Sequence, residues 1–124
     1  MTKGRRAARR SALFALYKWD LTGKVELDED ADEYTLRTVE EVQSRTDELD
    51  RRITDSAESW TADRLGVVER NVLRIAVHEL ETRAVPAEVA IDEAVTLAKR
   101  YASEDAGKLV NGILGRIARD EEAA

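Results

Sequence analysis

Apolar residues recur along most of this chain at intervals of three and four, the spacing that gathers side chains on one side of an α-helix, and no stretch alternates as a half-buried strand would. The densest run is residues 85–117. In it Ala90, Ala94, Leu97, Ala98 and Tyr101 stand at i, i+4, i+7, i+8 and i+11, with Ile91 and Val95 beside them. That stripe is wider than a surface helix needs, so this helix is expected near the centre. Pro86 suits its first turn, where a missing N–H costs nothing. The run continues with Ala106, Leu109, Val110, Ile113, Leu114 and Ile117 after a corner near Ala102, with Ser103 as cap and Glu104 and Asp105 favouring the positive helix end.

The same periodicity predicts four earlier helices, over 5–21, 33–44, 47–60 and 65–83. In the first, Ala12, Leu16 and Trp19 form the buried side, while Arg6, Arg10, Phe14 and Tyr17 share another. The acidic, aperiodic stretch 22–32 is expected to be a solvated loop. The second helix turns Leu36, Val39 and Val42 inward. The third does so with Leu49, Ile53, Ala57 and Trp60, Thr46 being its cap. In the fourth, Val68, Val72, Leu73, Ile75, Ala76, Val77 and Leu80 make the buried face, and Arg70, Arg74, His78 and Glu81 at i, i+4, i+8 and i+11 make a wet stripe. Glu79 sits between the two faces, where it could neutralise an arginine at the edge of the core. The expected fold is all-α: a single domain over residues 1–124, of about six to seven helices.

Composition narrows the chemistry. The chain has 124 residues, no cysteine and one histidine, which rules out disulfides, a thiolate nucleophile and a cysteine zinc site, and makes His78 a poor metal ligand. No cofactor and no catalysis are expected. No run is long and apolar enough to cross a membrane, and a cytoplasmic protein is expected.

Charge is unevenly placed. Residues 1–20 hold Lys3, Arg5, Arg6, Arg9, Arg10 and Lys18 against Asp20 alone, a net +5, whereas the remainder carries −11. A basic arm on an acidic body is a common arrangement for contact with nucleic acid. Arginine interleaved with aromatic rings suits single strands, the guanidinium groups meeting phosphate and the rings stacking on unpaired bases. For Phe14 the expected role is contact with the core or with a partner, and for Tyr17 both roles stay open. In the last helix Gly107, Asn111 and Gly115 are spaced by four, beside Lys108 and Gly112. Each interior glycine costs about 1 kcal/mol relative to alanine. Either another helix approaches closely there, or a thin face with one ammonium and one amide admits a phosphate backbone.

Three stretches, RRAARRSALFALYKWDL, ERNVLRIAVHEL and VPAEVAIDEAVTLAKRYASEDAGKLVNGILGRI, together resemble the NusB family of bacterial transcription antitermination factors over nearly the whole chain. The resemblance implies a non-catalytic all-α protein of two three-helix subdomains that binds the boxA element of nascent RNA together with the small-subunit ribosomal protein NusE. It further implies assembly with other Nus factors on RNA polymerase to suppress termination, chiefly in ribosomal RNA operons. By position it assigns RNA contact to Arg5, Arg6, Arg9 and Arg10, to Tyr17, and to Lys108 and Asn111 of the K-x-x-N motif. Leu109 stands where the family usually has phenylalanine, Asp92 where asparagine is usual, and Gly115 often has an acidic counterpart. Two alternatives accompany it. One is a protein-interaction module that recruits a basic ribosomal protein or forms a homodimer. The other is an accessory domain like those of ribosomal RNA methyltransferases.

Overall fold

The computed structural model describes residues 4–58 and 64–123 and contains six helices: α1 (Arg5–Thr22), α2 (Glu33–Ser44), α3 (Thr46–Ser56), α4 (Val67–Thr82), α5 (Ala87–Tyr101) and α6 (Glu104–Ala123). No strand occurs among the described residues.

Local chemistry explains most of the boundaries. Gly23 ends α1 in the left-handed conformation, φ +78°, and its amide donates to the Trp19 carbonyl at 2.8 Å. The Asp32 carboxylate starts α2 by accepting the Tyr34 amide at 2.8 Å, and Ser103 Oγ accepts the Ala106 amide at 3.0 Å at the head of α6. Pro86 lies one residue outside α5, in extended conformation, as its N-cap. Thr46 does not cap α3. It is the first helical residue, and its hydroxyl turns back to donate to the Val42 carbonyl at 2.9 Å. The described part of α3 ends at Ser56, and the expected inward position of Trp60 lies outside the described residues.

The central helix is α4 rather than α5. Every residue from Asn71 to Leu80 is buried, and α1, α2, α3, α5 and α6 all pack on α4. In contrast, α5 buries only Ala90, Ala94, Leu97 and Ala98. A helix enclosed on all sides has no wet stripe. Arg74 and His78 are therefore buried, contrary to the expectation from spacing, and polar side chains from other parts of the chain meet them there. Arg74 forms a two-pronged bond to Asp50 of α3, both distances 2.7 Å, and reaches Asp20 of α1 at 3.1 Å. His78 lies between Glu41 of α2 and Arg45. Glu81 receives Arg45 and Arg52, and Arg52 also reaches Glu121 of α6. Ion pairs of this kind add little net stability, since desolvation offsets their attraction, but removing one partner strands a charge, so they fix how the helices are arranged.

One continuous apolar core runs through all six helices. The helices α4, α5 and α6 pack on one another, while α3 packs more on α4 than on α2. In α2, Val39 and Val42 point inward as expected but Leu36 is exposed; Thr35 takes the interior place, its hydroxyl donating to the Ala8 carbonyl at 3.0 Å.

Candidate nucleic-acid interface

The first helix presents two unlike sides. Ala8, Arg9, Ala12, Leu13, Ala15 and Leu16 are buried, and the opposite side carries Arg6, Arg10, Phe14 and Tyr17 within one arc of the helical wheel. Phe14 and Tyr17 remain 47% and 39% exposed, large apolar surfaces that water would not choose to cover. Beside them runs α5. Arg6 bonds to Glu93, with Nη2–Oε1 at 3.0 Å, and eight residues further along both helices Phe14 meets Tyr101 ring edge to face, centroids 5.1 Å apart. Eight residues is about 12 Å of helix on each side, so α5 runs in the same direction as α1 over about two turns, joined to it by reaching side chains rather than by close backbone packing. The α5–α6 corner, with Lys99, Arg100 and Tyr101, thereby comes to the flank of the α1 stripe.

The arginines of α1 divide sharply. Arg6 is 79% exposed in its side chain, and the hydrogen bond and charge of Glu93 raise its affinity for its proton. Arg10 is half-buried and has no carboxylate partner among the described residues. Arg5 donates to the Ala84 carbonyl at 2.9 Å and lies 4.8 Å over the Tyr34 ring, which holds it at the α4–α5 corner. Arg9 stands apart from the expected contact set because it points into the protein. Its Nε donates to both oxygens of Glu79 at 3.0 and 2.9 Å, and its Nη2 lies 2.8 Å from Oε2, near enough for charge pairing but off the hydrogen-bonding direction. Burial alone would favour loss of the Arg9 proton, but the bond and charge of Glu79 outweigh it. Tyr34 completes the group by donating to Glu79, and burial together with that bond pushes its phenol up to about 12. The role read for Glu79 from its place between faces is the one observed.

Lys108 and Asn111 are exposed on the outer side of α6. Lys108 borders a shallow depression with Leu109, Gly112, Ile113 and Arg116, facing Ala57 and Glu58 at the end of α3. No bond among the described residues joins either to the α1 stripe. The glycines beside them serve different ends. At Gly107 a Cβ would come within 2.5 Å of Lys99 Cγ, so the missing side chain makes room for the lysine stem of α5, whereas at Gly112 a Cβ would meet nothing within 4 Å.

Sequence reasoning missed Arg100, whose guanidinium lies 5.5 Å over the Tyr101 ring, and Glu93, the counter-charge to Arg6. The signal for the first was the run KRY at the end of a predicted helix. For the second there was none, because the pairing spans 87 positions. Taken together the surface offers guanidinium and ammonium groups for phosphate and unburied rings for bases. The buried ionisable groups, by contrast, are taken up in bonds between helices.

The sequence profile of the NusB family matches residues 6–119. The transcription antitermination protein NusB of Thermotoga maritima is 50% identical over 93 residues, 74% of this chain and 63% of that protein, so the matched part spans less than two thirds of that relative's length. NusB of Saccharopolyspora erythraea is 39% identical over 132 residues, covering 92% of this chain and 86% of that one. Among solved structures, this chain superimposes with a TM-score of 0.81 and 35% identity on a chain from the crystal structure of antitermination factors NusB and NusE in complex with double-stranded RNA, covering 94% and 96% of the two.

Proposed function

Since the chain belongs to the NusB family, we propose that it is a transcription antitermination factor that binds boxA-type single-stranded RNA cooperatively with the ribosomal protein NusE. With other Nus factors on RNA polymerase, the complex would keep transcription of ribosomal RNA operons processive. The observation that carries this is the outward stripe of α1, where Arg6 and Arg10 lead into Phe14 and Tyr17 on a face the core leaves open. Arg5, Arg6, Arg10 and Lys108 hold phosphate, Tyr17 stacks on or hydrogen-bonds a base, and Asn111 extends the site with its amide. Arg9 contributes indirectly, by holding α1 in place through Glu79.

The protein acts by binding and not by catalysis, as one domain of six helices, in the bacterial cytoplasm where transcripts are made. No helix among the described residues is long and apolar enough to cross a membrane. Glu93 occupies Nε and Nη2 of Arg6 and so competes with an RNA phosphate for part of its guanidinium, while Nη1 stays open among the described residues.

Fluorescence anisotropy of a labelled boxA oligonucleotide, titrated with this protein alone, with NusE alone and with both, tests the proposal. Tighter binding by the mixture than by either component, and preference over a duplex of the same composition, is expected. Equal binding of any RNA, or none by the mixture, would contradict it.

A further inference from the structure

We propose that the α1–α5 junction is a stacking subsite for one unpaired base, with Phe14 as its floor, Tyr101 as its wall, and Arg10 and Arg100 on the side where the phosphates run. This rests on the RNA-binding function proposed above and adds to it a defined place for one nucleotide.

Phe14 is an exposed aromatic residue on a helix whose other side is fully packed, so its exposure is not a failure of the core to accommodate it. Its ring is not free to wander, because it meets Tyr101 at an interplanar angle of 84°. An edge-to-face pair covers one face of one ring only, and Tyr101 is the more enclosed partner, packed against the core and overlain by Arg100. Phe14, exposed at its surface, is the ring left open, and an aromatic face fixed in place is what a base stacks on without sequence preference.

The electrostatics orient the nucleotide. Arg10 lies one turn before Phe14 on the same side of α1, and neither it nor Arg100 has a carboxylate partner among the described residues. On the other flank of Phe14 a cleft of about 180 Å³ opens, bordered by Lys18, Glu26 and Asp28. Glu26 there is paired with Lys18 at 3.2 Å, and the cleft's carboxylate oxygens, Asp28 among them, accept hydrogen bonds from the N–H groups on a base edge. The sugar–phosphate chain is thus directed to the Arg10–Arg100 side and the base edge to the cleft.

The test uses the full chain and a boxA oligonucleotide carrying 2-aminopurine at one position at a time. One position should change its fluorescence on binding, and in Phe14→Leu that change should vanish while affinity falls about 5- to 100-fold, the range expected for one lost stack. Tyr101→Phe, which keeps the ring pair, should behave as the original protein. An abasic nucleotide at the responsive position should erase the difference between Phe14→Leu and the original. Because Phe14 is exposed, the leucine variant should keep its helical circular dichroism. Undiminished affinity and fluorescence change in folded Phe14→Leu would overturn the subsite while leaving RNA binding intact. Loss of NusE binding alone would assign the ring to a protein contact and also overturn it, and no RNA binding by the original protein would overturn the subsite together with the function it rests on.

Discussion

Two neighbouring arginines should fail in opposite ways. Arg9 and Glu79 are among the most enclosed charged residues in the protein, with side chains 4% and 2% exposed, and Tyr34 adds a third bond to the same carboxylate. Replacing Arg9 by methionine keeps much of the volume but leaves the Glu79 charge inside with only the phenol to answer it. Breaking a buried pair from one side costs about 3–5 kcal/mol, a fall of roughly 10–20 °C in melting temperature for a domain of this size. Replacing both partners, Arg9→Met with Glu79→Leu, removes the stranded charge, so the double variant should be more stable than Arg9→Met alone. Arg10→Ala, on a half-exposed residue without an ionic partner, should change stability by less than about 0.5 kcal/mol and weaken RNA binding instead. Urea unfolding gives the first quantity, and RNA titration at equal concentrations of folded protein gives the second. If Arg9→Met unfolded within about 1 kcal/mol of the original while losing RNA affinity, Arg9 would be a phosphate ligand and its place in the interior would carry no weight.

Glu93→Gln should tighten RNA binding, because it frees Arg6 from a carboxylate that competes with phosphate; weaker binding in the titration would mean that Glu93 orients Arg6 for the ligand. Gly112→Ala should raise stability by roughly 0.5–1 kcal/mol, since the new methyl group meets nothing, and Gly107→Ala should gain less because the Lys99 stem has to move; thermal unfolding of the two variants decides the order. Stability should fall on acidification. Burial alone would raise the Asp20 and Glu81 carboxyls, but bonds from Arg70 and Asn71 to the first, and from Arg45 and Arg52 to the second, outweigh it and hold both below the usual range. Their stabilisation is complete above about pH 4, the ordinary carboxylate value, and is lost as the pH drops through the depressed ones. Urea midpoints measured from neutral to acid pH should decline across that window, less steeply in Glu81→Gln, and an identical pH profile for the two proteins would remove Glu81 from the explanation.

What the sequence made legible was what short-range chemistry decides. Pro86 and Ser103 mark the starts of α5 and α6 through chemistry that acts within a few residues, and the apolar stripes read for the six helices set the core. The polar positions of α4 were misjudged for a physical reason. Arg70, Arg74, His78 and Glu81 have the spacing of a solvated face, and only distant partners, Asp20, Glu41 and Asp50 for the first three and Arg45 and Arg52 for Glu81, turn that face inward. The same limit applies at the interface. Periodicity brought Arg6, Arg10, Phe14 and Tyr17 together because they share one helix, but it could not separate Arg9 as a strut, nor bring Arg100 and Glu93 from α5 alongside. Tyr101 lay on the apolar stripe, and its second role as the ring beside Phe14 depended on how α5 was laid against α1.

The most direct test of the proposed interface is the salt dependence of RNA affinity, measured by anisotropy over a series of monovalent salt concentrations. With Arg5, Arg6, Arg10, Arg100 and Lys108 each displacing a counterion from a single strand, log affinity should fall against log salt with a slope of roughly −3.5, and the slope should flatten by about 0.7 in Arg10→Ala. A slope near zero, or one that Arg10→Ala leaves unchanged, would contradict the assignment of this face to RNA.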